Sequence, residues 1–190
     1  MAAPAPTATQ LDLRNLTGAD VMADPTPWVS AYEEVYAHAL HLPDHNDPPF
    51  GERLAFSAAR PGFRMTAGYQ DGELVGFVYG YTLPTTTGWW DGFTPAPGVD
   101  AEDMTRERPG RTLAVCEGLV RAPFRNTRLA VHAMPMFLSG RPEERAASLV
   151  AESNTHALNI SLRNGWRHVG DLAPHDGWRR HHCLIMPLGG

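Results

Sequence analysis

The chain has 190 residues, 43% hydrophobic and 19% charged, the size and balance of one globular domain spanning residues 1–190 with a substantial core. A formal net charge of −5 excludes bulk nucleic-acid binding, which needs a concentrated basic surface. All 16 basic residues are arginine, so a lysine Schiff base is excluded and anion recognition falls to guanidinium groups and backbone. No apolar run reaches membrane-spanning length, and MAAPAPTATQ at the start lacks a basic-then-apolar leader; a cytoplasmic protein with no membrane partner and a frayed N-terminus is expected.

Leu11 and Leu13 alternate with polar neighbours, predicting a first strand closed by Thr17-Gly18. Thr26 with Pro27 predicts a capped helix whose apolar face carries Trp28, Tyr32, Val35, Tyr36, Ala39 and Leu40. HLPDHNDPP reads as a loop, and a shorter helix from about Phe50 to Ala59 is stopped by Pro61-Gly62. Phe63, Met65, Ala67 and Tyr69 alternate, Gln70-Asp71-Gly72 turns, and Val75, Phe77, Tyr79 and Tyr81 alternate again: an antiparallel hairpin. The Pro/Gly/Thr-rich stretch 84–110 is a long loop of the kind more often functional than idle, and Trp89 and Trp90 within it either line a pocket or plug the core.

The central signal is TLAVCEGLVRAPFRNTRLA. A buried strand, Leu113 to Val120, runs through a basic turn (Arg121, Arg125, Arg128) into a helix from about Thr127. Such a junction suits anions, because the first N–H groups of a helix have no internal partner. Pro135 inside that helix removes one hydrogen bond at a cost of about 3 kcal/mol and predicts a kink or restart. Ala146–Ala151 reads as an interior strand. Asn154 caps a helix ended by Asn164-Gly165, and Trp166–Gly170 and Cys183–Leu188 are the last strands. Cys116 and Cys183 fit small buried residues and have no zinc or disulfide spacing; no metal is expected, and His181-His182 on one strand point to opposite faces.

This order of elements, with Val120-Arg121-Ala122-Pro123-Phe124-Arg125 before a helix and Asn154-Thr155-His156-Ala157 followed by Asn164-Gly165-Trp166-Arg167-His168-Val169-Gly170, resembles the GNAT superfamily of N-acetyltransferases over residues 10 to 188. The resemblance implies an α/β fold: a central mixed, mostly antiparallel sheet of about seven strands with helices on both faces. It also implies acetyl-CoA as co-substrate. Its pantetheine arm would lie against Leu119 and Val120, its pyrophosphate on the backbone of Arg125, Asn126, Thr127, Arg128, Leu129 and Ala130, with Asn154 contacting it from the next strand's end. The implied chemistry is direct attack by the amine of a small molecule, with Glu117 as base. Ser161 stands where family members carry a tyrosine thought to protonate the departing thiolate. Arg128 stands where the family pattern has its central glycine. Trp89, Trp90 and Tyr36 are the candidate acceptor-binding residues, and loop acids such as Asp44 and Asp91 favour a cationic acceptor. A domain that has lost transfer and binds a ligand or partner is the alternative; a homodimer is compatible with either.

Overall fold

A computed structural model describes residues 11–125, 127–173 and 177–189. Among the described residues the predicted strands and one further short strand form a single mixed sheet of eight, in the order β1-β2-β3-β5-β6-β8-β7-β4. The strands are β1 (Asp12–Leu16), β2 (Arg64–Gln70), β3 (Glu73–Thr82), β4 (Thr94–Pro95), β5 (Thr112–Val120), β6 (Arg145–Ala151), β7 (Arg167–Leu172) and β8 (His181–Pro187). The extra strand, β4, is two residues long and lies inside the stretch read as loop, too short to leave an alternating pattern. Among the described residues only β5 and β6 pair in parallel. The hairpin turns through Asp71 (φ 53°) and Gly72 (φ 81°), the paired left-handed conformations that a tight hairpin needs.

Helices cover both faces. On one face α1 (Gly18–Ala23), α2 (Thr26–Val35) and α4 (Phe50–Ala58) pack Val21, Trp28, Tyr32, Phe50 and Leu54 onto Met65, Ala67, Phe77, Tyr79 and Leu119. The other half of that face is covered by the 84–106 segment, where Trp90 joins Ala114, Ala147, Val169, Leu172 and Cys183. The opposite face carries α6 (Leu129–Leu138) and α7 (Thr155–Arg163), over Val75, Val78, Leu113, Val115, Ala146 and Leu184.

Several expectations change. Thr17-Gly18 does not merely close β1: Thr17 caps α1, its hydroxyl accepting from Asp20 N–H while Asp20 accepts from Thr17 N–H at 2.8 Å. Thr26 is the first helical residue, not the cap, and its N–H is held by Asp24 Oδ1 at 3.0 Å. The 41–49 loop contains a single turn, α3 (Pro43–Asn46), and the 84–110 segment a short α5 (Ala101–Thr105). Nor does the third helix restart at Pro135. It continues to Leu138, because Leu129, Ala133 and Phe137, four apart, are all buried on the sheet, and this outweighs one lost hydrogen bond.

Candidate functional site

The β5–β6 pairing runs only from Thr112↔Arg145 to Val115↔Ser148. Beyond it β5 continues to Val120 on β3 alone, and β6 continues to Ala151 on β8 alone. The two strands therefore part, and the β5 edge from Cys116 to Val120 has no strand partner on that side. Unpaired backbone groups of this kind need an acceptor or donor from elsewhere. One is met internally: Gly118 N–H donates to Glu117 Oε1 at 3.0 Å. Leu119, buried, and Val120, half-buried, occupy this edge.

A bulge sets the chemistry of the edge. Tyr79 pairs with Glu117 but Gly80 pairs with Val115, leaving Cys116 as the extra residue. Sequence alternation puts Cys116 and Glu117 on opposite faces, and the bulge overturns that. Cys116 packs into the same side of the sheet as Tyr79, while Glu117 accepts from Tyr36 Oη at 3.0 Å on that side too. Gly80 tolerates the close strand approach because it has no Cβ; one built there would lie 2.0 Å from Ala114 O.

Glu117 faces an aromatic and cationic wall. Trp28, Tyr32 and Tyr36, four residues apart, share one face of α2 and its C-terminal end. Tyr32 stacks on Phe50 (4.0 Å), Arg53 donates to Tyr32 Oη at 2.8 Å, and Tyr32 Oη lies 2.7 Å from His45 Nδ1. Burial pushes the Glu117 carboxyl above the usual carboxylate range, against the opposing pull of the Tyr36 hydroxyl, Arg53 and Gly118 N–H. Glu117 keeps some exposed surface, and its charge in turn raises Tyr36, Tyr32 and Tyr79. Burial likewise raises Tyr36 well above the ordinary phenol and holds His45 below the ordinary imidazole. Arg179 closes one side, donating to Asp44 Oδ2 at 2.7 Å and to His45 Nε2 at 3.0 Å.

The basic turn divides into two parts. Arg121 is already spent: its guanidinium binds Glu34 (2.7 Å), Glu73 (2.8 Å) and Leu74 O. Arg125 and Arg128 are exposed, and their side chains make no hydrogen bond or ion pair among the described residues. Arg128 adopts φ 60°, ψ 23°, the left-handed conformation a glycine would favour, immediately before α6. The expected run of free amides from Arg125 to Ala130 is interrupted, since Thr127 N–H donates to Phe124 O at 3.0 Å. The N–H groups of Arg128, Leu129 and Ala130 have no acceptor among the described residues. Asn126 lies outside those residues, as does His175.

The remaining candidates are scattered. Asn154 lies just beyond the end of β6, and its Oδ1 is committed to capping Ala157 N–H at 3.1 Å. Ser161 is half-buried on α7 with no side-chain hydrogen bond among the described residues. Trp90 does not line the cleft. It is 6% exposed, donates to Glu107 Oε1 at 3.0 Å and lies under Arg145, whose strand partner Thr112 opens β5. Glu117 is five residues further along, roughly 16 Å. Trp89 is half-buried against the same cluster, so this pair packs on the core, and Trp90 also borders an open pocket with Thr87, Asp91 and Glu102. The residues missed from sequence are Arg53, His45 and Arg179, whose convergence depends on three separate connections.

No family model and no curated protein matches the chain. Among solved structures, it superposes on the ribosomal-protein-S18-alanine N-acetyltransferase from Escherichia coli, with 12% identity, TM-score 0.61, and 95% of this chain and 96% of that one covered. The paia N-acetyltransferase from Thermoplasma acidophilum, solved in complex with coenzyme A, gives 10% identity, TM-score 0.57, and 94% and 99% coverage. A GNAT-family acetyltransferase from Bacillus cereus gives 12% identity, TM-score 0.60, and 95% and 99% coverage. At such identities the likeness is one of fold.

Proposed function

From the GNAT fold that this chain adopts, we propose that it is an acetyl-CoA-dependent N-acetyltransferase acting on the amine of a small molecule. The observation that carries this reading is the parting of β5 and β6 beside the half-buried Glu117 carboxylate, with the amides of Arg128 to Ala130 and the side chains of Arg125 and Arg128 unpartnered among the described residues beyond the strand's end. The residues present suit the co-substrate. The open β5 edge at Leu119 and Val120 has the donors and acceptors an amide-bearing pantetheine arm needs, and Arg125, Arg128 and the N-terminus of α6 offer a diphosphate charge and N–H groups. Acetyl-CoA supplies the activated acyl carbon.

The chain's own contribution is proton management. An amine acceptor arrives protonated near neutral pH and must lose that proton to attack. Glu117 accepts it, directly or through one water. Its raised proton affinity brings it closer to the operating pH than an exposed carboxylate would be, which suits a general base. Tyr36 holds the carboxylate in place, and Arg53 stops its charge being extinguished altogether. His45, held below the ordinary imidazole and fixed by Tyr32 and Arg179, adds no charge here, and Arg179 already neutralises Asp44, so the attraction for a cationic acceptor rests on Glu117. Ser161 is too short and too weak an acid to replace a tyrosine, so the thiolate takes its proton from water.

The test is release of free thiol from acetyl-CoA across a panel of small amines. The reading predicts release with at least one amine, and at least a roughly hundredfold lower kcat in Glu117→Gln. No release with any amine, in a protein that binds CoA, would favour the domain that has lost transfer.

A further inference from the structure

A second cluster of titratable groups lies away from this cleft, at the β7–β8 end of the sheet. His168 Nε2 is 2.9 Å from Asp171 Oδ1, and His182 Nδ1 is 2.7 Å from that same oxygen. The two imidazole rings stand perpendicular with centroids 5.1 Å apart, and the three ligand atoms all lie within 4.8 Å of one another. The other carboxylate oxygen, Oδ2, accepts from Arg180 at 2.8 Å, which fixes the orientation of Asp171.

The backbone builds this convergence. Asp171 and His182 are direct partners across β7 and β8. His168 and Asp171 are three apart, so on a regular strand they would face opposite ways. A bulge between His168 and Gly170 shifts the register and brings both to one face. Gly170 sits in that bulge at φ 156°, and a Cβ on it would lie 2.4 Å from Thr94 O and 2.6 Å from Phe93, so the bulge requires glycine. His182 alternates with buried Cys183 and shares the face of Leu184, the α6/α7 face, whereas Glu117 is on the other. The cluster is therefore separate from the acyl-transfer cleft and does not depend on it.

We propose that His168 Nε2, Asp171 Oδ1 and His182 Nδ1 form a binding site for one divalent transition-metal ion of the zinc class. Two imidazole nitrogens and one carboxylate oxygen are the donor set that borderline ions take, in contrast to the all-oxygen sets of calcium and magnesium. Zinc sits roughly 2.0–2.2 Å from such atoms, so ligands in a tetrahedral shell are separated by roughly 3.3 Å. Reaching that spacing lengthens the two contacts to Asp171 by about half an ångström and brings the two ring nitrogens, now within 4.8 Å of each other, to the same separation, through small rotations of partly exposed side chains. On binding, each ring nitrogen facing Asp171 gives up its proton, which moves to the other ring nitrogen or leaves. Neither of those other nitrogens has a partner among the described residues. Asp171 is held in place for such an ion by hydrogen bonds from His168, His182 and Arg180. Three protein ligands leave at least one position for water or a further ligand.

The full chain, stripped with chelator, is titrated with Zn²⁺ by calorimetry, with Co²⁺ by visible absorption and with Cu²⁺ by electron paramagnetic resonance. The site predicts one equivalent bound with Kd below roughly 10 μM, Co²⁺ d–d bands displaced by Zn²⁺, and coupling of Cu²⁺ to two imidazole nitrogens. His168→Gln, on a partly exposed side chain, should weaken binding at least about tenfold and leave one coupled nitrogen; His182→Gln should do likewise. His181→Gln, one residue away but facing the opposite side, should leave binding unchanged. Equal affinity in native, His168→Gln and His182→Gln proteins, or no binding at roughly 1 mM metal, would overturn the proposal.

Discussion

Glu117 shows how one residue ties stability to activity. Its carboxyl is raised in the folded chain mainly by burial. A carboxyl with a raised folded pKa contributes its stabilisation at low pH and loses it as pH rises through the folded value. Glu117→Gln, which cannot ionise, therefore melts higher than native protein at neutral pH, and the gap closes as pH falls through that value in paired thermal melts. Activity runs the other way: the acid limb of the kcat/KM profile lies above that of an ordinary carboxylate. Tyr36→Phe moves that limb higher still, because the lost hydrogen bond favoured the charged form. Cys116 shares this face, but burial pushes its thiol up to about 12, so almost no thiolate exists near neutral pH. Cys116→Ala is predicted to retain kcat within a few-fold in the thiol-release assay, and intact protein to resist alkylation at both Cys116 and Cys183, the latter also at about 12.

At the scale of elements, the turn before α6 decides how the chain would hold a diphosphate without the glycine its pattern lacks. Arg128 holds a left-handed conformation at a cost of about 1–2 kcal/mol while its guanidinium stays exposed. Arg128→Gly should leave thermal stability equal or slightly raised, yet weaken CoA binding about tenfold, because a charge-assisted contact is lost. Tighter CoA binding in that variant, measured by calorimetry, would mean that the arginine obstructs. Elements of this kind were legible in sequence when their signal was periodic or capped: the hairpin, β5, β6 and the Asn154-capped α7 all lie within a residue or two of expectation. What escaped were the departures from periodicity. The bulge at Cys116 reverses the facing of Glu117, and the bulge at His168–Gly170 assembles a cluster that alternation would disperse. A one-residue insertion in pairing depends on the neighbouring strand, so no single segment announces it.

Across the whole molecule, the sheet is split into two halves by the parting of β5 and β6, and the 84–111 segment fastens them at the opposite end. Arg145 on β6 donates to Thr112 Oγ1 on β5 at 2.8 Å, to Met104 O at 2.7 Å and to Glu107 at 3.2 Å, and its guanidinium lies over the Trp90 ring. The Glu107 side chain is 1% exposed and gathers Trp90, Thr112 and Arg145 on one oxygen. Breaking a buried pair leaves an uncompensated charge, so Glu107→Gln is predicted to lower stability by about 3–5 kcal/mol in denaturant titrations. An unchanged midpoint would show that the fastening is dispensable. The open end of the same strand pair is where function is proposed, and its most direct test is calorimetric titration of the native chain with acetyl-CoA at low and high salt. The account predicts a single site of micromolar affinity that weakens with salt, because Arg125 and Arg128 meet the diphosphate. No heat of binding and no rise in melting temperature at roughly 1 mM acetyl-CoA would contradict it.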